Sequence, residues 1–544
     1  MGNCAVKFAR CVPVGRSASE VYLVRPEVCT AASVPLSLSP VDSDICVRGL
    51  VVSWVFIFEK TLDPDLMRES LSEALVTYPI IAGRVSLRAR RSLRMELDII
   101  LSDAGVTFEL ESSTLTRNEL VGKHSNGVQF KAQDNFTPPR FFCDSVRPIR
   151  AVNPAGQCAG TLMASKLTLL KDAGCVLGIS WSHSICDGQA MMTFIEYWAF
   201  RCRQKNQYTS LSMQILPNPS HDRLGVVDCS RQNIRAFPAL RGAQDELRIS
   251  SSGCALKLQA IGEFTKIAMT RLAQETVSFS SADVAAMKRA FHEHTATHLG
   301  GVGYLSANDT VVCFLWCLLR RLKRDEKGPA NAYSYRSRLG IIWRQLKAQS
   351  LNSALVNNLG SFAIQAINMR GRKICGFDPE FFGNASMMSV SQLSGHLVYP
   401  GAMLRSIRHA VNRANNTPGE QHRGTVLALV HSSDDEILRL SLFSVKLADS
   451  FSSSWQFPLW EVDFGIGNRH GHEYSELHDI SDVNSPHTRP AWFSGTVYPQ
   501  APYTSCVVPR EGRGDISVHV TVPVDLIDMF DEYASSVVAE LREV

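Results

Sequence analysis

The sequence predicts an α/β fold from three stretches with different hydrophobic periods. Residues 306–324, SANDTVVCFLWCLLRRLKR, set Val312, Leu315, Trp316, Leu319 and Leu322 on one helical stripe, with Ser306 or Asn308 available as the cap. Residues 515–523, DISVHVTVP, alternate Ile516, Val518, Val520 and Val522 with polar neighbours, the period of a half-buried strand. Residues 174–181, GCVLGISW, are a continuous apolar run of strand length. Helices and strands mixed in this way, without the regular βαβ alternation of a doubly wound sheet, point to the α/β class.

Other elements follow the same logic. From Asp63, the stretch DPDLMRESLSEALVTYP offers an N-cap, Pro64 at the first helical position, and a face of Met67, Leu71, Ala74, Leu75 and Tyr78 that Pro79 ends. After the last strand, Leu526, Met529, Phe530, Tyr533 and Val537 make the apolar face of a closing helix. Arg84, Arg88, Arg90, Arg91 and Arg94 lack interleaved aromatics and read as a solvated face. Arg320, Arg321, Lys323 and Arg324 read as cations complementing a helix C-terminus. Polar stretches near 204–260, 325–355 and 468–510 are expected to be linkers and surface loops.

Composition narrows the function classes. A chain of 544 residues that is 45% hydrophobic and 20% charged is an ordinary globular protein with room for two to four domains. Lys+Arg 56 against Asp+Glu 52 leaves only +4, too little for an electrostatic grip on nucleic acid, so a small molecule is the expected partner. Fifteen cysteines without paired spacing read as reduced, buried thiols of a cytoplasmic protein. No apolar run reaches the roughly 20 residues a membrane helix needs. The first residues lack the apolar core of a secretory signal. Gly2 and Cys4 hint at a lipid tether, but Val6 stands where myristoylation wants Ser or Thr.

Histidine is the usual general base near neutral pH. Three His-x-x-x-Asp strings occur, at His183 to Asp187, His431 to Asp435 and His478 to Asp482, and chance alone supplies such strings. The latter two sit in acidic polar runs. His183 instead ends the apolar strand, and Asp187-Gly188 opens the helical pattern QAMMTFIEYWAF. A strand end can set His183 at the floor of a cleft, Asp187 can lock the turn and cap the helix, and Gly188 permits close approach. A satisfied core histidine beside an ordinary N-cap fits those lines equally well.

A second stretch, SSSWQFPLWEVDFGIG at 452–467, adds Asp463-Phe464-Gly465-Ile466-Gly467. With His183, Asp187 and Gly188 it resembles the BAHD acyltransferases, whose signatures are HxxxDG and DFGWG in this order. The resemblance extends to LSPVD (38–42), YPIIAGR (78–84), PNPSHDR (217–223), SANDTVVCFLW (306–316), NMRGR (368–372) and FFGNA (381–385). Ile466 departs from the family's Trp, and the chain carries surplus length near 224–262, 325–350 and 484–510.

The resemblance implies two chloramphenicol-acetyltransferase-like domains, each a mixed β-sheet flanked by helices, meeting at a tunnel. A tail at 1–18 would precede a first domain at 19–205, a crossover at 206–265 and a second domain at 266–544. It implies acyl transfer from coenzyme A, a co-substrate and no permanent cofactor, to the hydroxyl or amine of a small acceptor, by a monomer of secondary metabolism. His183 would be the base, Asp187 its structural support, and Ser453 with the Trp455 indole the oxyanion donors. Gly188, Asp463, Phe464, Gly465 and Gly467 would be structural. Lys446 stands where some hydroxycinnamoyl transferases carry a basic residue for an acidic acceptor. The alternatives are a noncatalytic scaffold of the same fold and a condensation-type transferase fed by a carrier protein.

Other motifs give less. Gly301-Val302-Gly303 and Gly465-Ile466-Gly467 lack the third glycine of a dinucleotide loop. The histidines of HEHTATH (292–298), and His470, His472 and His478, match no zinc-protease pattern, and no metal site is expected. Cys313 and Cys317 read as core packing, and Cys186 as a variable position within the first motif, not a nucleophile.

Overall fold

The computed structural model describes residues 19–28, 34–39, 42, 45–88, 96–120, 131–132, 160–205, 218–221, 269–299, 305–326, 361–371, 378–393, 400–416, 448–454, 456–465, 489–498, 501–509, 515–530 and 532–534, with a few isolated positions besides. The crossover expected at 206–265 lies almost wholly outside the described residues.

The first half supplies strands β1 (Ser19–Val24), β2 (Val34–Ser37), β3 (Val51–Phe58), β4 (Arg84–Arg88), β5 (Glu96–Leu101), β6 (Val106–Ser112), β7 (Lys131–Ala132), β8 (Met163–Leu169) and β9 (Cys175–Ser182). Its long helices are α1 (Pro64–Thr77) and α2 (Gly188–Lys205). The second half adds β10 (Leu272–Phe279), β11 (Ser361–Asn368), β12 (Ser386–Leu393), β13 (Ala448–Ser453), β14 (Pro490–Tyr498), β15 (Thr504–Pro509) and β16 (Ile516–Pro523). Its long helices are α3 (Ser281–Leu299), α4 (Ala307–Glu326) and α5 (Pro400–Asn416).

Two mixed sheets carry the fold. The first runs β1-β6-β8-β9-β3-β14 and the second β12-β11-β13-β15-β16-β10-β7, with a small sheet β2-β5-β4 beside them. The β6–β8, β11–β13 and β13–β15 pairs are parallel and the others antiparallel. The α/β expectation is therefore met. The halves also exchange strands: β14 pairs antiparallel with β3, and the two residues of β7 pair with β10.

Helix α1 forms where its signals predict. Asp63 Oδ1 accepts from the N–H groups of Asp65 (2.9 Å) and Leu66 (3.1 Å), and Met67, Leu71, Ala74, Leu75 and Tyr78 are buried. α1 packs on α2, whose Trp198 Nε1 donates to Met67 O at 3.1 Å. Both β3 and β9 are buried along their whole length, which explains their mostly apolar sequences, and the buried Ser53 and Ser180 hydroxyls bond each other at 2.8 Å.

Helix α4 is capped by Ser306, not Asn308: Ser306 N donates to Asp309 Oδ2 and Asp309 N to Ser306 Oγ, a reciprocal capping pair. Burial extends beyond the predicted stripe to Val311, Cys313, Phe314 and Leu318, so α4 is a central helix of the second core.

Three expectations are corrected. The polar stretch 468–510 contains β14 and β15, two sheet strands. Arg84 is half-buried and donates to the carbonyls of Ala82, Gly83, Ala104 and Gly105, tying the turn after YPIIAG instead of facing solvent. Lys323 does not merely serve its helix end: its Nζ lies 2.5 Å from Oδ1 of the buried Asp449 on β13 and over the Tyr503 ring.

Candidate active site

His183 lies in the turn between β9 and α2, at intermediate exposure. Its N–H donates to Leu50 O at 3.0 Å, which pins the turn to the chain just before β3. Its Nδ1 is buried with no hydrogen-bond partner among the described residues. Cys186 is wholly buried and its carbonyl accepts from Trp181 Nε1, consistent with a packing role.

Asp187 is the most heavily bonded member of the turn. Its Oδ1 accepts from Ala190 N at 3.1 Å, the N-cap contact of α2. Its Oδ2 accepts from Arg370 Nη1 (2.8 Å), Ala385 N (2.9 Å) and Ser386 Oγ (3.3 Å), all from the second half of the chain. Burial alone would raise its carboxyl; the Arg370 guanidinium and the donated N–H groups outweigh that and hold it below the ordinary Asp value. Arg370 is itself held, by Phe381 O at Nε and Gly383 O at Nη2.

The two signature stretches meet at Gly188. A Cβ built there would stand 3.2 Å from Phe457 Cε2 and 3.3 Å from Trp54 Cζ2, so this position must stay small for the 452–467 segment to approach α2. Phe457 is placed by a tight turn, its N–H donating to Ser454 O, while Ser454 N donates to Val507 O of β15. Ser453 is the last residue of β13, four positions before Phe457 and at intermediate exposure. Trp455, Ile466 and Gly467 lie outside the described residues, as does Lys446.

Asp463, Phe464 and Gly465 pack elsewhere, against the far part of α2. Arg203 Nη1 donates to Asp463 O, and Phe464 meets Trp198 edge-on at 5.2 Å. Asp463 Oδ1 accepts from Gly465 N at 2.9 Å, in a turn where Gly465 takes φ +76°. At 1.5 Å per residue, Arg203 is about 22 Å along the helix from Gly188.

The segments LSPVD, NMRGR and FFGNA supply three further side chains whose roles no motif spacing signals: Asp42, Arg370 and Asn384. Asn384 Nδ2 donates to His183 O (2.8 Å) and to Asp42 Oδ1 (2.7 Å). Among the described residues no group of three or more His, Cys, Asp or Glu side chains is gathered as a metal site would require. Of the described cysteines only Cys506 is partly exposed, and burial pushes the Cys175 and Cys202 thiols up to about 12.

Residues 18–220 match the profile of the Transferase family. That segment of the chain belongs to the Transferase family. The BAHD resemblance is thereby borne out, and the Transferase-family segment holds both His183 and Asp187. Acyl transferase 15 of Oryza sativa subsp. japonica is 28% identical over 184 residues, covering 33% of this chain and 40% of its own. The chain thus spans well under two thirds of that relative. The O-acetyltransferase ptmV of Penicillium ochrochloron is 22% identical over 70% of this chain and 72% of its own.

Solved structures reproduce the fold of the Transferase-family segment and of the rest of the chain. Vinorine synthase superposes with TM-score 0.59 at 14% identity, over 96% of this chain and 98% of its own. The F. sporotrichioides TRI101 complex with coenzyme A and T-2 gives 0.61 at 14% identity, over 92% and 99%. The two-domain arrangement of mixed sheets and flanking helices is shared with both.

Proposed function

We propose that the protein transfers an acyl group from coenzyme A to the hydroxyl or amine of a small-molecule acceptor, with His183 as general base. The observation that carries this reading is the anchoring of the His183–Asp187 turn: its own half supplies the strand and helix, while Arg370, Ala385 and Ser386 of the other half bond Asp187. His183 thereby belongs to a turn bonded by both halves, and Gly188 at the end of that turn lies against Phe457.

In this reading His183 removes the acceptor's proton as oxygen or nitrogen attacks the thioester carbonyl, and returns a proton to the departing thiolate. Both substrates are bound together, and no covalent acyl-enzyme is formed. Asp187, engaged by Arg370, supports the turn and relays no charge. Ser453 and Trp455 are proposed as donors to the tetrahedral oxyanion. Asp463, Phe464 and Gly465 hold the far part of α2 and, like Gly467, stay outside the chemistry. Names among the relatives support the donor class, including a hydroxycinnamoyl-CoA transferase of Avena sativa that is 30% identical over 27% of this chain.

The domain division is proposed as 19–205 and 266–544 around the crossover, with β14 lent to the first sheet. A cytoplasmic location is proposed from the cysteine pattern and a monomer from the family resemblance; no described helix is long and apolar enough to cross a membrane.

The test is a panel of acyl-CoA donors against pooled alcohols and amines, read by thiol release and product mass. The His183→Ala variant is expected to lose about 10²–10⁴ in rate while still binding CoA by calorimetry. A variant turning over at nearly the wild-type rate would overturn the assignment.

A further inference from the structure

We infer that Asn384 is a positioning residue for His183, oriented by the Asp42 carboxylate. The rate readout rests on the acyl-transfer reading; the geometry does not.

Both polar groups of the His183 backbone are held. The N–H goes to Leu50 O at 3.0 Å, and the carbonyl accepts from Asn384 Nδ2 at 2.8 Å. A turn residue fixed at both ends has its Cα–Cβ direction fixed too, and with it the place from which its ring starts.

The Asn384 amide has two N–H groups, and Asp42 takes the other, at 2.7 Å to Oδ1. The same oxygen accepts from Asn384 N at 3.2 Å, while Oδ2 accepts from Ser39 N (3.1 Å) and Ser39 Oγ (2.8 Å). An ionised carboxylate is acceptor-only, so only the nitrogen end of the amide can face it. Asp42 thus selects the amide orientation that leaves a donor for His183. Ser39, Asp42 and Asn384 are all buried, so water does not substitute for these bonds.

The neighbours of Asn384 hold the other end of the turn. Gly383 O accepts from Asp187 N, and Ala385 N and Ser386 Oγ bond the Asp187 carboxylate. One four-residue segment therefore seats the whole motif, and within it Asn384 is the residue that reaches His183's own peptide.

The Asn384→Asp variant keeps volume but sets a carboxylate against Asp42 and the His183 carbonyl. Pairing it with Asp42→Asn rebuilds a donor–acceptor link between positions 42 and 384 without restoring a donor for His183. The double variant is expected to regain part of the melting temperature that Asn384→Asp loses, since an amide at position 42 leaves one backbone N–H without its acceptor, while kcat stays about 10–100-fold down and KM for acyl-CoA is unchanged. Recovery of kcat together with stability overturns the inference.

A second measurement covers poor refolding of the double variant and needs no turnover. In Asn384→Ala, held below its melting temperature, carbethoxylation of His183 by diethyl pyrocarbonate, read by peptide mass, is expected to accelerate several-fold against the other histidines. An unchanged rate overturns the inference. A wild-type chain that releases no thiol from any acyl-CoA defeats the acyl-transfer reading alone and leaves this labelling result standing.

Discussion

Arg370 Nη1 lies 2.8 Å from Asp187 Oδ2, an ion pair joining the turn after β11 to the turn after β9, with both side chains nearly excluded from solvent. The pair binds the second half of the chain to the motif in the first. A buried pair of this kind adds little over a well-packed apolar replacement, yet losing one partner strands a charge.

Arg370→Met is accordingly expected to cost about 3–5 kcal/mol in urea unfolding, and Asp187→Asn in that background to restore part of it. In the wild type, the Asp187 carboxyl lies below its ordinary value, so its contribution is fully present above about pH 3.9 and is lost as pH falls through the lower folded value. Acid unfolding of Asp187→Asn should lack that component.

His519 on β16 gives a pH effect at milder acidity. It is buried, with Nδ1 3.1 Å from Thr276 Oγ1, and burial lowers its pKa to about 4. The unfolded chain takes up the proton near 6.5 and the folded one near 4, so stability falls as pH drops across that window, by up to about 3 kcal/mol. His519→Gln should flatten the stability profile there in pH-dependent denaturation.

Gly465 adopts φ +76°, which an L side chain takes at a cost of about 1–2 kcal/mol. Gly465→Ala should lower the melting temperature. Because that turn packs on the far part of α2, kcat measured below the melt should be unchanged.

Gly188 sits between Trp54 and Phe457. Gly188→Val should overpack this contact by about 1–3 kcal/mol and displace the segment after β13, reducing kcat beyond what its melting temperature explains. Kinetics at two temperatures below the melt would separate the effects.

Much of this architecture is legible in the sequence where a single element decides its own fate. α1, α4, β9 and β16 carry strong periodicity or caps, and His183 stood out because a turn follows a buried strand. β14 escaped notice because Pro490, Ser494 and Gly495 interrupt its apolar pattern. Gly495 is required there: a Cβ would fall 2.9 Å from Trp54 Cδ1. Arg84 reads as solvated because the carbonyls it bonds leave no trace in residue type. Arg370, Asn384 and Asp42 were hidden for another reason: they matter through partners 183 to 342 positions away, a pairing that only the folded chain displays.

The pairing of β14 with β3 constrains how the chain is made. Val51 bonds in register with Tyr498, so one flank of the all-buried strand VVSWVFIF has no partner until residues 490–498 have been made. At about 5–20 residues per second that interval is on the order of tens of seconds, during which an apolar strand edge is open to other nascent chains. Products of premature termination before residue 490 would carry that edge permanently, which makes early stop codons a route to aggregation as well as to lost activity.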